Sequence, residues 1–568
     1  MMWSGVYRLQ GLLLCISLLV SVVESITVHA NGVRYVGAQN YTSRINTFWG
    51  IRYAEPPVKE LRWREPVPFN TRWRGVRHVR ATDPPPACWQ STPAWRPNVQ
   101  SDLWQDEDCL RLNIQTPMDP EPHRLPVLVM IHGGGYLAGS TQFTTGDSLV
   151  HQSNGSVIYV SIQYRLGALG FLGGDELRGD GTQGTWNAGL LDQRLALDWV
   201  RDNIQYFGGD PTRITITGSS AGGGSVALQM VMYGGRPPNP PFQAAIPEFP
   251  WWTPMYGNDW VQDQYKRFLQ AADCDSISCL RKLPIEAIQT ATRAASESAY
   301  ADKKYAFGTF YWGPTIDGRI IEANLQEEFR QGHFTKVPIL VDRNFDEGFI
   351  FSNTSVATDE DAMSDLAALW HDDTGYYADT VWSLYPESSY NTCHLSKLPV
   401  YDLLKKAGAI NNTLTNSFIR RSALFGDALV GCPTTYMAQA VAKAGIPAYK
   451  LIFNSGYQFH SATDKFVYSN YTNADGSRIA QGAQIPGNAT VATLLRQYIL
   501  SFTMFHEPNG LGPDSHYVPE WPRYTSQKPK ALYLANSGVE VVDDFESSVQ
   551  CHFFRMGRGN NAGLWPEW

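Results

Sequence analysis

The stretch Ile214-Thr215-Ile216-Thr217-Gly218-Ser219-Ser220-Ala221-Gly222, running on into Val226–Met232, decides the fold of this chain. It reads as a β-rich run, a serine flanked by glycines, and then a helical run. A strand-to-helix turn of this kind strains the backbone of its central residue and presents that side chain above a sheet. Gly218 and Gly222 leave room for the neighbouring backbones, so the Ser220 hydroxyl stands clear as a candidate nucleophile. The Ala221 N–H then sits at a helix N-terminus, where partial positive charge favours a developing oxyanion. The plainer reading is a glycine-rich turn with a chance serine. The strand before it and the helix after it weigh against that.

Outward from this turn, short apolar runs alternate with helical patterns. Val127–Ile131, Val157–Ile162, Val337–Val341 and Ala448–Phe453 join Ile214–Thr217 as strand candidates. Runs with no polar alternation suit sheets covered on both faces. Between Val157–Ile162 and Ile214–Thr217, Gly189–Tyr206 has helical apolar spacing and the length of a crossover. Alternating strands and helices predict an α/β protein with a mainly parallel central sheet flanked by helices. No linker is evident, so residues 26–568 are read as one catalytic domain with large insertions. A second glycine cluster, His132-Gly133-Gly134-Gly135-Tyr136, follows the Val127–Ile131 strand. Upstream of the serine, that is where an oxyanion hole should lie; the alternative is a flexible loop.

Bulk properties narrow the function. Hydrophobic residues make up 43% of the 568 and charged residues 18%, as in ordinary globular proteins. A net charge of −8 argues against a nucleic-acid partner, because neutralising phosphates needs surplus Lys and Arg. The 18 Trp are expected mostly in the core, with some lining a pocket. No metal-ligand spacing stands out, and serine chemistry needs no cofactor.

Arg8 precedes an apolar run over Leu9–Val23, and Val23-Glu24-Ser25 offers a small-residue exit. Residues 1–25 therefore read as a signal peptide rather than an anchor, since the run is short of the roughly 20 residues that span a bilayer. No later stretch reads as a membrane span. Six N-x-S/T triplets agree with export, at Asn40, Asn154, Asn353, Asn411, Asn470 and Asn488. Removing the leader takes Cys15 with it and leaves an odd number of cysteines, so at least one thiol is expected to be free. In an oxidising compartment, short-range pairs such as Cys274 with Cys279 are disulfide candidates.

With the serine turn and glycine cluster in view, the chain resembles the type-B carboxylesterases, the α/β-hydrolase family that includes cholinesterases and fungal lipases. The resemblance runs from about Val33 to Phe554. It rests on Phe48-Trp49-Gly50-Ile51-Arg52-Tyr53-Ala54, on Glu107-Asp108-Cys109-Leu110-Arg111-Leu112-Asn113, and on Phe207-Gly208-Gly209-Asp210-Pro211. Pro508-Asn509-Gly510 and Trp521-Pro522-Arg523-Tyr524 carry it to the end. Arg111 departs from it, standing where the family usually has Tyr or Thr. The resemblance implies a Ser–Glu–His triad in that chain order: Ser220, then Glu347 of Asp346-Glu347-Gly348, then His460 ahead of Phe466-Val467-Tyr468. Asp346 is the rival acid, and His506 and His516 are the rival histidines.

The same resemblance implies oxyanion donors at Gly134, Gly135 and Ala221, and disulfides Cys88–Cys109, Cys274–Cys279 and Cys432–Cys551. Cys393 is then left odd, with Cys393–Cys432 as the other pairing. The expected activity is hydrolysis of a small-molecule or lipid ester through an acyl-enzyme. A lipase or sterol esterase and a specialised esterase on a natural-product ester or lactone are the alternatives. Trp95 lies where cholinesterases carry a cation-binding Trp, but Ser219 replaces the acidic residue they place before the nucleophile, and Trp95 is read mainly as packing. The family also holds adhesion proteins that lost catalysis, so the fold alone does not establish activity.

Overall fold

The computed structural model describes residues 24–556 except 73, 98–101, 121–123, 179–182, 237–238, 371–375, 391–413, 457, 469–488, 512–518 and 547. Residues 1–23 of the leader expected over 1–25, with Cys393, Asn411, Asn470, Asn488 and His516, lie outside the described residues.

One 13-stranded sheet organises them. In chain order the strands are β1 (Glu24–Ala30), β2 (Val33–Asn40), β3 (Ile45–Arg52), β4 (His78–Arg80), β5 (Arg111–Pro117), β6 (Leu125–Ile131) and β7 (Ile158–Ile162). They continue with β8 (Gly209–Ser219), β9 (Ala244–Glu248), β10 (Ile339–Asn344), β11 (Ala448–Asn454), β12 (Lys530–Ala535) and β13 (Gly538–Asp543). Across the sheet they run β1-β2-β3-β5-β7-β6-β8-β9-β10-β11-β12-β13, with β4 beside β2. From β7 to β12 every pairing is parallel. The flanks, β1-β2-β3-β5-β7 and β12-β13, are antiparallel.

The parallel centre is apolar on both faces because both are covered. Along β6, Val127, Val129 and Ile131 pack into one cluster with Leu190, Leu197 and Val200 of the helix Ala188–Asn203 and Leu228 of the helix Ala221–Val231. Leu128 and Met130 point to the other side, into a cluster with Leu495, Ile499 and Phe502 of the helix Ala489–Phe505. That alternation is the two-residue period of a strand. A third cluster, around Trp63, Trp186, Phe268 and Trp312, is built with the inserted helices Asn258–Ala271 and Ile285–Ala301.

The expected strands at 127–131, 157–162, 214–217 and 448–453 coincide with β6, β7, β8 and β11. The one expected over Val337–Val341 lies further along, at Ile339–Asn344. Its last three residues are polar yet buried, and each has a partner of its own. Asp342 accepts from the Phe249 N–H (2.8 Å), Arg343 pairs with Glu546, and Asn344 braces Glu347. The crossover helix is Ala188–Asn203, followed by a single 3-10 turn, Ile204–Phe207. The structure joins Cys88 to Cys109, Cys274 to Cys279 and Cys432 to Cys551. Among the described residues, no helix is long and apolar enough to cross a membrane, and no His/Cys/Asp/Glu cluster could hold a metal ion.

Candidate active site

Loops beyond the C-terminal ends of parallel strands are where such sheets collect ligands. Ser220 follows β8, Glu347 follows β10 and His460 follows β11. The structure brings all three together. The Ser220 Oγ lies 2.7 Å from His460 Nε2, and His460 Nδ1 lies 2.5 Å from Glu347 Oε2. The second carboxylate oxygen, Oε1, accepts from the backbone N–H of Asn344 (2.5 Å) and from its Nδ2 (3.1 Å). Asn344 Oδ1 in turn accepts from the Thr463 N–H (3.1 Å), tying the acid loop to the helix Ala462–Val467 behind His460. The His460 and Glu347 side chains are buried.

Ser220 has φ 59° and ψ −121°. A non-glycine residue held there is strained and persists only where its surroundings over-determine it. Here they do: its N–H donates to Glu248 O (3.1 Å), and its carbonyl accepts from Gly224 (2.9 Å) and Trp251 (2.9 Å). A Cβ on Gly222 would lie 2.0 Å from the Ile131 carbonyl, so the helix can approach β6 this closely only without a side chain.

The glycine cluster lies against the serine. A Cβ on Gly133 would come within 3.1 Å of Ser220 Cβ. Gly134 (φ 113°) and Gly135 (φ 64°) both have left-handed backbones. The N–H groups of Gly134, Gly135 and Ala221 make no hydrogen bond among the described residues, which leaves them free for an incoming oxygen. His132, at the strand end, is buried and stacks on Tyr164 at 4.5 Å. Burial pushes its pKa down to about 4, so it is neutral and adds no charge beside the loop.

The rivals are elsewhere. Asp346 spends its N–H on Gln458 O (2.8 Å), and its side chain lines a different cavity. His506 follows the helix Ala489–Phe505 and donates its N–H back to Phe502. The Trp95 indole donates to Thr309 O (2.6 Å) and packs against Phe307, Phe310 and Phe351, which favours the packing reading.

Several residues at the site carried no motif. The rings of Phe249, Trp251 and Phe351 stand roughly perpendicular to the His460 ring, their centroids 5.0, 6.1 and 4.9 Å away, and Phe310 covers Gly135. On the far side, three buried carboxyls crowd together without a basic partner among the described ion pairs. Glu248 and Asp342 are register partners across β9 and β10, and Asp464 lies on the helix after His460. Burial raises all three pKa values, and the Glu248 charge raises those of Asp342 and Asp464 further. Glu248 accepts from Thr217 Oγ (2.6 Å) and Tyr468 OH (2.5 Å), while Asp464 is bonded to Ser219. A void of about 10 Å³ bordered by Glu248, Asp342 and Thr463 has the size of one water. The available signal was an acid closing or interrupting an apolar strand, at Glu248 and Asp342.

A helix-flanked sheet with its site on these loops places the protein among the α/β-hydrolase-fold serine hydrolases. Within that class the chain belongs to the carboxylesterase family, whose profile matches residues 25–554, and it is a carboxylic ester hydrolase. It is 30% identical over 566 residues to Lipase 1 of Geotrichum candidum, covering 89% of this chain and 92% of that protein. It is 30% identical over 566 residues to Carboxylesterase patB of Aspergillus clavatus, covering 91% of this chain and 93% of that one. The crystal structure of Aspergillus niger EstA superposes with a TM-score of 0.77 at 27% identity, covering 93% of this chain and 97% of that one.

Proposed function

We propose that the protein is a secreted esterase that works through an acyl-enzyme on Ser220, with His460 as base and Glu347 as its orienting acid. The observation that carries this reading is the unbroken chain of hydrogen bonds from the strained Ser220 through His460 to Glu347. As Ser220 Oγ attacks the ester carbonyl, His460 Nε2 takes its proton. The carbonyl oxygen becomes an oxyanion and turns to the N–H groups of Gly134, Gly135 and Ala221. Collapse breaks the ester C–O bond, and His460 returns the proton to the departing alkoxide. Water then gives a proton to His460 and its oxygen to the acyl carbon; the bond from that carbon to Ser220 Oγ breaks, His460 passes the proton to Oγ, and the acid leaves. Glu347, fixed by Asn344, keeps the Nδ1 proton facing itself and stabilises the imidazolium.

The rings of Trp251 and Phe351 beside His460, and of Phe310 over Gly135, support an ester with an apolar acyl or alkoxy part. Export is supported by the leader-like N-terminus, by the three disulfides, and by sequons Asn40 at the exposed end of β2 and Asn154 in an exposed turn, with Asn353 half-buried. A chain-length series of p-nitrophenyl esters, run on the wild type and Ser220→Ala, tests the reading. Turnover lost throughout the series in Ser220→Ala is expected. Turnover that survives the substitution would remove Ser220 from the role.

A further inference from the structure

Glu347 and Gly348 also form part of the wall of a second cavity, about 620 Å³, that neither Ser220 nor His460 lines. That volume is in the range that encloses a small organic ligand. Five aromatic residues line the wall, Phe345, Phe349, Tyr390, Tyr533 and Phe545. Four charged side chains other than Glu347 also reach it, Arg343, Asp346, Asp427 and Glu546. Arg343 is committed. It pairs with Glu546, donates to the carbonyls of Asn344 (3.0 Å) and Phe345 (2.8 Å), and lies over the rings of Phe345 and Phe545. Lys450, buried behind, pairs with Asp544 (2.9 Å) and Glu546 (2.5 Å). Two cations thus meet two carboxylates, and that group is balanced.

Asp346 and Asp427 are left over. Asp427 accepts one hydrogen bond, from Tyr385 OH (2.8 Å). The Asp346 carboxyl has no hydrogen bond or ion pair among the described residues. Burial pushes both carboxyls up to about 6, and the nearby Arg343 charge offsets this only in part. An anion would meet two surplus acids and no uncommitted cation, and a neutral ligand, even one that donates a hydrogen bond, would bring Asp346 no opposite charge. An acid with no ion pair of its own, beside aromatic rings, matches a cation with an apolar body, since rings attract cations by their faces and the acid supplies the charge.

We propose that this cavity is a second ligand site, for an organic cation, a quaternary or protonated amine on an apolar body, with its charge against Asp346 and its body among the rings. The site shares a wall with the triad acid and does not depend on the ester-hydrolysis mechanism. Benzyltrimethylammonium and its neutral isostere neopentylbenzene, titrated calorimetrically into the full-length protein, provide the test, with p-nitrophenyl ester turnover followed in parallel. Saturable binding of the cation is expected, with the isostere at least about ten-fold weaker. Asp346→Asn, which changes one carboxyl oxygen to an amide, should weaken the cation about ten-fold or more. Ala423→Trp, which fills the chamber from the helix Asn416–Gly426, should abolish binding while thermal unfolding confirms a folded protein. Equal binding by the isostere, unchanged binding in Asp346→Asn or in folded Ala423→Trp, or simple competition with the ester would each overturn the proposal. So would no binding at all.

Discussion

Replacing Gly135 by alanine should disable catalysis by a route that the structure specifies. Gly135 has φ 64°, and a Cβ there would meet three atoms of the Phe310 ring at 2.5, 2.5 and 2.7 Å. Ordinary carbon contacts need about 3.5–4.0 Å, so the loop or the ring must move by about 1 Å. Phe310 is wedged against Trp251 (5.4 Å), Trp95 (6.0 Å) and Phe351 (6.3 Å), so the glycine loop is the element that yields. That loop carries the proposed donors at Gly134 and Gly135. Losing one such donor costs about 3–4 kcal/mol of transition-state stabilisation, so kcat should fall about 10²–10³-fold with KM little changed. A left-handed alanine adds about 1–2 kcal/mol of strain, read mainly as a lower Tm. If the clash is the cause, removing the ring should relieve it. Gly135→Ala with Phe310→Ala should recover to within about ten-fold of Phe310→Ala alone, leaving only residual backbone strain. The assay is steady-state hydrolysis of a p-nitrophenyl ester by all four proteins of the cycle. Wild-type kcat in Gly135→Ala, or a double variant as slow as Gly135→Ala, would refute the reasoning.

Glu347→Gln should preserve the fold and lower kcat about 10⁴-fold, because an amide cannot hold the imidazole in its working tautomer; steady-state kinetics with a circular dichroism control would show it. Asp342 has its pKa raised on folding, so the folded state keeps a proton that the unfolded chain releases. Stability is then lost as pH climbs from the ordinary carboxylate range through the raised value. Asp342→Asn keeps the acceptor for the Phe249 N–H and removes that loss. Its Tm should exceed wild type at neutral pH and converge with it near pH 4, and a Tm-versus-pH series decides the matter. Replacing Cys432 and Cys551 together by serine opens a crosslink across 119 residues and should cost about 2–5 kcal/mol in urea unfolding.

The centre of the sheet was legible because its strands announce themselves. Val127–Ile131 and Val157–Ile162 are apolar at every or nearly every position, and only a doubly covered strand tolerates that. β9 carried no such signal. Ala244-Ala245-Ile246-Pro247-Glu248 has weak β propensity, and it is a strand because β8 and β10 flank it. The antiparallel flanks went unread for a related reason. β2, for instance, is buried at only some of its positions and depends on neighbours at both sides for its identity. The nucleophile turn was readable since its constraint is local: a glycine on either side of a strained serine. Glu347 and His460 needed the family pattern, because nothing in a lone Asp-Glu-Gly or a lone histidine separates a site from a surface. Phe310 and the carboxyls Glu248, Asp342 and Asp464 act through partners distant in sequence, and only folding brings them to the site.

The most direct measurement is covalent labelling with a fluorophosphonate followed by mass spectrometric mapping of the adduct. An adduct confined to Ser220, absent in Ser220→Ala and formed far more slowly in His460→Ala, is the predicted result. An adduct on another residue, or no adduct on a folded protein exposed to the probe, would contradict the proposed chemistry.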